Sequence, residues 1–219
     1  MHNSAYVYID GFNLYYGAVK DKPYLKWLDL VKFSENIFPD KNVKEVKYFT
    51  AIVKEMGDHK RPERQNTYLR ALKILHKDRI KIIKGNFRTN SRKFPIAKLQ
   101  YDDEHNSFTQ ERIWVIRTEE KGTDVNLAVH LVNDAWKNLY DIALVISNDT
   151  DLAEAIRIAK KNCVKIIIIA NPHIEDERVH IKLRRVSSKS ILIQENLLKE
   201  CQLPDNIPGT NIHRPDEWK

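Results

Sequence analysis

Three segments of the chain repeat one layout, in which acidic and small polar residues stand between a strand pattern and a helix pattern. They are IDGFN at 9–13, KGTDVN at 121–126 and SNDTD at 147–151. Asp10 and Asp149 directly follow apolar runs that predict strands, and Asp124 opens a helix after a Gly-Thr turn. Ligands of open parallel sheets bind at the carboxyl ends of the strands. If these strands are neighbours, we therefore expect the carboxylates to converge on one pocket.

Converging carboxylates repel one another and resist ionisation unless a cation offsets their charge. Carboxylate oxygens without a nearby Cys or His cluster suit Mg²⁺ or Mn²⁺. A water bound to such a cation can attack a phosphodiester while the metal offsets charge on the phosphoryl oxygens. Asn13 and Ser147 are short polar groups suited to orient a carboxylate or a water. The pattern predicts metal-dependent hydrolysis at a site formed by Asp10, Asp124, Asp149 and Asp151.

Each motif alone has a purely structural explanation. An aspartate or threonine at a helix start commonly caps the helix, which would account for the residues at 123–124 and 150–151. Asp10 and the glycine after it could form a simple turn. Capping does not explain why all three motifs share the strand-end position, so the three together favour a functional site.

Strand and helix patterns alternate along the chain. The predicted strands are 6–10, 43–53, 80–84, 141–147, 164–170 and 190–193, and the predicted helices are 12–19, 29–37, 62–75, 124–139 and 151–161. The apolar face of the third helix consists of Tyr68, Leu69, Leu72 and Leu75, and that of the fourth consists of Val125, Ala128, Val129, Val132 and Trp136. Because the best strands are continuous apolar runs, we predict a mainly parallel sheet with helices on both faces, an α/β fold.

Residues 86–118 break this alternation and predict a β-hairpin-like insertion in a single domain of residues 1–200. Residues 201–219 form a C-terminal tail whose Pro, Asn and Gly content predicts fraying. No secretory signal or membrane span is evident, and Cys163 and Cys201 form no zinc pattern, so we expect a cytoplasmic protein. The histidines show no ligand spacing and are interpreted as structural or exposed.

The net charge of +7 favours polyanionic partners. The insertion combines basic residues with Phe87 and Phe94, a composition suited to phosphates and unpaired bases. A solvated charged loop explains the same composition equally well. The candidate contacts to single-stranded RNA are Arg61, Arg64, Arg88, Arg92, Lys93 and Lys121.

The chain resembles the NYN-domain proteins, a branch of the PIN-like nucleases. The resemblance lies in YIDGFNLYYG at 8–17, KGTDVNLAVHLVNDA at 121–135 and LVISNDTDLAEAIRIAKKN at 144–162, and it extends from residue 5 to about 195. It implies a three-layer α/β/α fold, a Mg²⁺ or Mn²⁺ pocket and endonucleolytic cleavage of RNA. It also implies that Asp10, Asp124 and Asp149 bind the metal, with Asp151 as a fourth acid and with Asn13 and Ser147 in support.

The third motif departs from the family pattern, because Thr150 and Leu152 flank the last acid where the family often has a small residue and Phe. We expect Thr150 and Leu152 to crowd or re-aim the Asp151 carboxylate, so that Asp149 is the stronger candidate of the two.

The main alternative is a non-catalytic RNA-binding or protein-interaction module on the same fold, which would have no need for clustered carboxylates. A haloacid-dehalogenase phosphohydrolase needs a second acid two residues after Asp10, where this chain has Phe12. A receiver domain needs an acidic pair before its phospho-acceptor aspartate and is shorter than this chain of 219 residues. RNA and DNA offer the same phosphodiester, one metal or two would fit, and the pattern is compatible with a homodimer.

Overall fold

A computed structural model describes residues 4–55, 58–97, 100–102, 107–175 and 178–219. Its strands are β1 (Ser4–Asp10), β2 (Asn42–Thr50), β3 (Ile80–Lys84), β4 (Asn86–Pro95), β5 (Gln100–Asp102), β6 (Ser107–Thr109), β7 (Arg112–Lys121), β8 (Ile142–Ile146), β9 (Ile166–Asn171) and β10 (Lys189–Leu192). Its α-helices are α1 (Gly11–Leu14), α2 (Leu30–Ile37), α3 (Arg61–His76), α4 (Thr123–Trp136), α5 (Ala153–Lys161), α6 (Ile181–Val186) and α7 (Glu195–Glu200). A π-helical turn, Tyr15–Val19, continues α1, and a 3₁₀ turn, Thr150–Leu152, precedes α5.

The central sheet has six strands in the order β10-β9-β8-β1-β2-β3, and every neighbouring pair is parallel. Strands β2 and β3 follow β1 on one side of the sheet, and β9 and β10 follow β8 on the other side. Because the strand order reverses in this way, β1 and β8 are neighbours, with Ile9 opposite Ile146. The carboxyl ends of these two strands form the switch point at which open α/β sheets bind ligands.

Helices cover both faces of the sheet and give three layers. In β1, Val7 and Ile9 face a core shared with α2, α3 and α7, whereas Tyr8 faces a second core shared with α4, α5 and α6. The central strands β1 and β8 bury side chains on both faces, which explains their continuous apolar runs in the sequence. The predicted PIN-like α/β fold is confirmed. No helix in the described part of the chain is both long and apolar enough to cross a bilayer.

Two helices test the amphipathic predictions. The apolar face predicted for α3 is buried, with Tyr68, Leu69 and Leu72 in the core. The predicted apolar face of α4 is only partly buried: Ala128 and Val132 pack against the core, whereas Val125 is 66% and Trp136 is 77% exposed.

Helix α4 instead buries a stripe that contains Leu127, Leu131, Ala135 and a charged residue, Asp134. Asp134 accepts a 2.7 Å hydrogen bond from the Tyr8 hydroxyl and forms an ion pair with Lys47. The Lys47 ammonium also lies 3.4 Å from the buried Glu45 carboxylate. Charges taken out of water must be paired, so this network fixes the rotation of α4 on the sheet.

Strand β2 ends at Thr50, three residues before the predicted end. The Gln65 side chain on α3 accepts a 2.8 Å hydrogen bond from the Val53 amide and donates a 3.0 Å bond to the Ala51 carbonyl. The Gln65 side chain thus supplies hydrogen-bond partners to backbone groups beyond the end of β2, which a neighbouring strand would pair if β2 continued.

The predicted hairpin insertion is present and reaches Lys121. Strands β4 and β7 pair antiparallel over ten residues, from Asn86 opposite Lys121 to Pro95 opposite Arg112. Strands β5 and β6 form a second, shorter antiparallel pair.

The prediction that the C-terminal tail frays is wrong. Leu203, Ile207 and Ile212 are buried in the same core as β1. The Trp218 ring lies 6.1 Å from that of Trp27 and 6.2 Å from that of Tyr68, measured between centroids. Pro, Asn and Gly shape the turns of this segment, while its few apolar side chains anchor it.

Candidate active site

Asp10 is the last residue of β1 and caps the short helix α1. Its carboxylate accepts a 2.9 Å hydrogen bond from the Asn13 amide and a 3.0 Å bond from the Ser147 hydroxyl. Burial raises the pKa of this carboxyl, the two hydrogen bonds oppose that shift, and Asp149 adds to it. The simple turn considered at Asp10 and Gly11 is instead a helix cap, and Asp10 also lies near a second acid.

The loop after β8 brings the third motif to Asp10. Ser147 is fully buried, donates to Asp10, and accepts a 3.1 Å hydrogen bond from the Asp149 amide. Asp149 in turn caps the following turn by accepting a 2.9 Å bond from the Asp151 amide. Asp10 and Asp149, 139 positions apart in the sequence, are thus joined through one serine hydroxyl.

Asp124 lies in the first turn of α4 and faces the same site. Its pKa is raised to about 6, first by burial and then by repulsion from Asp10, Asp149, Glu120 and Asp151, in that order. A carboxyl responds in this way only to charges in its neighbourhood. The structure therefore brings all four predicted acids together, with Asp151 the most exposed and the weakest of these influences.

The donor set is suited to a hard divalent cation, although the carboxylates are not drawn around one point. Within the described ranges, no group of three or more His, Cys, Asp or Glu side chains could hold a metal ion as placed. Burial is the main cause of the raised pKa of Asp124, and repulsion from the neighbouring carboxylates adds to it; a cation would offset that repulsion. Oxygen-only ligands of this kind fit Mg²⁺ or Mn²⁺.

Asn13 connects the first and third motifs. Its side-chain oxygen accepts a 2.9 Å hydrogen bond from the Asn148 amide and lies 3.2 Å from Nε2 of His173. His173 follows β9, the next strand end along the sheet, which sequence spacing did not reveal. The Asn148 side chain accepts a 2.8 Å bond from the His180 amide and so holds a further loop against the site.

Glu120 is a second residue that the sequence analysis missed. It accepts hydrogen bonds from the Thr123 amide at 3.0 Å and from the Thr123 hydroxyl at 2.7 Å, so it caps α4 from the hairpin. Its position three residues before Thr123 was the signal in the sequence that could have identified it. Glu120 adds negative charge beside Asp124 and ties β7 to the site.

The predicted basic residues do not form one surface. In an antiparallel pair, residues directly opposite each other share a face and successive residues alternate. Lys93, opposite Trp114, shares a face with Phe87, whereas Arg88 and Arg92 lie on the other face.

The remaining three basic candidates lie elsewhere. Lys121 is 59% exposed at the hairpin base, 3.4 Å from a Glu119 carboxylate oxygen. Arg64 forms ion pairs with Asp58 and Glu217, and Arg61 lines a cavity beside the site.

The arrangement of strand-end acids can be compared with known proteins. The family model of the NYN domain matches residues 4–193 of this chain. The chain belongs to the NYN-domain family. This NYN domain is thereby placed within the PIN-like nuclease superfamily, in agreement with its parallel sheet and acidic switch point.

Among curated proteins, the chain is similar to 6-hydroxy-3-succinoylpyridine 3-monooxygenase HspA of Pseudomonas putida. The two are 32% identical over 235 aligned positions, which cover 97% of this chain and 74% of the relative. Among solved structures, a protein of unknown function from Vibrio parahaemolyticus matches with a TM-score of 0.53 and 17% identity. That match covers 89% of this chain and 95% of the other, and it concerns the fold alone.

Proposed function

We propose that this NYN domain is a metal-dependent ribonuclease that hydrolyses phosphodiester bonds of RNA. The observation that carries the proposal is the hydrogen-bonded link from Asp10 through Ser147 to Asp149 at the junction of β1 and β8. Membership of a PIN-like nuclease family supports the same chemistry.

Asp10, Asp124 and Asp149 would hold the Mg²⁺ or Mn²⁺ ion. When bound, the cation supplies an activated water and offsets the charge of the phosphoryl oxygens. Ser147 and Asn13 are positioning residues, because each bridges the β1 and β8 loops: the Ser147 hydroxyl donates to the Asp10 carboxylate, and the Asn13 side chain accepts from the Asn148 amide. The exposed Asp151 sits at the edge of the pocket, where it adds negative charge.

The substrate side of the proposal rests on charge and on the hairpin. The chain carries 37 Lys and Arg against 30 Asp and Glu, although its proposed catalytic centre is acidic. The hairpin face that includes Phe87 also presents Lys93 and the exposed Trp114, whose ring lies 5.6 Å from the Lys93 ammonium. Aromatic rings and cations on one surface suit single-stranded RNA, whose bases are free to stack.

The test compares cleavage of end-labelled single-stranded RNA by the wild type and by the Asp10→Asn/Asp149→Asn variant, each with Mg²⁺, with Mn²⁺ and with chelator. Asp40→Asn, at an exposed turn after α2, is the matched control. We expect metal-dependent cleavage that falls at least about 100-fold in the double variant, since disturbing even a supporting group of a metal site costs about 10–100-fold. The control should cleave like the wild type.

RNA that is bound but never cut with either metal would replace the nuclease by the non-catalytic binding module. Cleavage that persists in a folded double variant would show that these carboxylates are not the catalytic site. Circular dichroism and thermal denaturation establish that the variants are folded.

A second candidate function follows from the similarity to HspA, whose printed name describes oxidation of a hydroxypyridine. A monooxygenase consumes O₂ and two electrons for each product. Oxygen uptake with 6-hydroxy-3-succinoylpyridine and a reduced nicotinamide nucleotide tests this activity, and uptake that depends on the pyridine would favour it over the nuclease.

A further inference from the structure

A cavity of about 450 Å³ lies beside the acidic site. Gly11 and Phe12, which directly follow Asp10, form part of its wall. Gly11 permits this arrangement, because a Cβ there would stand 2.6 Å from the Phe49 carbonyl oxygen and 2.8 Å from the Tyr48 ring. The volume is in the range of small-molecule sites, roughly 300–1,000 Å³.

Flat aromatic surfaces dominate the apolar part of the wall. Phe12 meets Phe87 of the hairpin edge to face at 5.7 Å between centroids, and on the other side Trp218 meets Tyr68 at 6.2 Å. Tyr48, from β2, also lines the cavity. Rings of this kind favour a planar aromatic guest, which they can contact face to face or edge to face.

The polar part of the wall is strongly positive. Four cationic side chains line the cavity against a single carboxylate, that of Asp58. Arg64 is already neutralised by ion pairs with Asp58 and Glu217. Lys26 and Arg61 form no ion pair with any residue that the structure describes.

Lys26 is partly buried in the wall of this cavity. Burial lowers the pKa of its ammonium, Asp21 opposes that shift, and Arg61 and Arg64 lower the pKa further. The ammonium lies 5.9 Å from the centre of the Tyr15 ring. Half-buried cations that form no close ion pair and lie beside aromatic rings are suited to an anionic substituent on an aromatic ligand.

We propose that this cavity binds a planar aromatic ring that carries a negatively charged group, as in a nucleoside monophosphate or a small aromatic carboxylic acid. The rings of Phe12, Tyr48 and Trp218 enclose the planar part, and Lys26 and Arg61 bind the anion. The C-terminal segment takes part in the site, because Trp218 forms its wall and Glu217 positions Arg64.

The test measures binding to the full chain by isothermal titration calorimetry. The probes are adenosine and uridine 5′-monophosphates, nicotinate as an aromatic carboxylate, and nicotinamide as its neutral counterpart. We expect one anionic class to bind, and Lys26→Met and Arg61→Met each to weaken it about tenfold, the scale of one lost charge-assisted contact. Lys20→Met, outside the cavity wall but also near a tyrosine ring, is the matched control and should bind like the wild type.

Binding of the nucleotides alone identifies an RNA unit as the ligand, and binding of nicotinate alone identifies a free aromatic acid. The proposal is overturned if neither class binds, if nicotinate binds but nicotinamide binds equally tightly, or if both cation variants keep wild-type affinity. Trp218→Leu should also weaken binding. If this variant does not fold, the two cation variants still decide the outcome.

Discussion

Asp124→Asn should stabilise the metal-free protein at neutral pH, although it removes a proposed functional residue. Asp124 has a pKa of about 6 in the folded protein, where burial and neighbouring carboxylates disfavour its charge. In the unfolded chain the ordinary pKa is 3.8. The folded state therefore retains the proton to higher pH, and stability falls as the pH rises from about 4 to about 6.

The shift of about 2 pKa units corresponds to roughly 3 kcal/mol. Asp124 is only half-buried, and solvent screening reduces this to about 1.5 kcal/mol. The positive end of the α4 dipole favours an aspartate in the first turn by about 0.5 kcal/mol. We therefore expect Asp124→Asn to gain about 1 kcal/mol above about pH 7.

Urea unfolding of both proteins, with chelator present, should be followed at pH values from about 3.5 to about 8. The advantage of the variant should shrink through the window from about pH 6 to about pH 4, because the wild-type carboxyl becomes neutral there. Asp40→Asn controls for a simple change of net charge. Mn²⁺ should then stabilise the wild type more than the variant, because a ligand stabilises the state that binds it.

A stability difference that is the same at about pH 4 and about pH 7.5 would refute this reasoning. So would an Asp124→Asn protein that is less stable than the wild type at neutral pH. Either result would mean that the charge of Asp124 is already compensated in the metal-free fold.

Three further predictions concern the fold. Ile207→Ala should lower the free energy of unfolding in urea by about 3 kcal/mol, because Ile207 is buried. Trp136→Ala, on the exposed face of α4, should change it by less than about 0.5 kcal/mol, and equal effects of the two variants would contradict the packed C-terminal segment. Lys47→Met should cost about 3 kcal/mol in the same assay, because it leaves the buried Asp134 carboxylate without its ion-pair partner, whereas Glu45 keeps its ion pair with Lys81; a neutral effect would show that water reaches Asp134. Gly11→Ala should lower the free energy of unfolding by about 1–3 kcal/mol and abolish RNA cleavage, because the added Cβ would stand 2.6 Å from the Phe49 carbonyl oxygen. Full activity would mean that the loop after β1 shifts freely.

The sequence determined the fold class and the strand ends that carry the acids. Continuous apolar runs such as IALVI at 142–146 occur where a strand is covered on both faces, so they predict a parallel sheet without further information. The acids after two such runs, together with the strand-end rule, predicted that Asp10, Asp124 and Asp149 face one another. The family motifs pointed to the same residues.

Only the tertiary structure decided what depends on contacts between distant segments. Helix α4 has apolar residues on more than one side, and the buried side is selected by the pairing of Asp134 with Tyr8 and Lys47. The C-terminal segment is polar in composition, yet Trp218 and Glu217 complete a cavity begun by Gly11 and Phe12 some 200 residues earlier. The local sequence pattern shows which residues favour burial. The partner that each buried residue contacts depends on the tertiary fold of the whole chain.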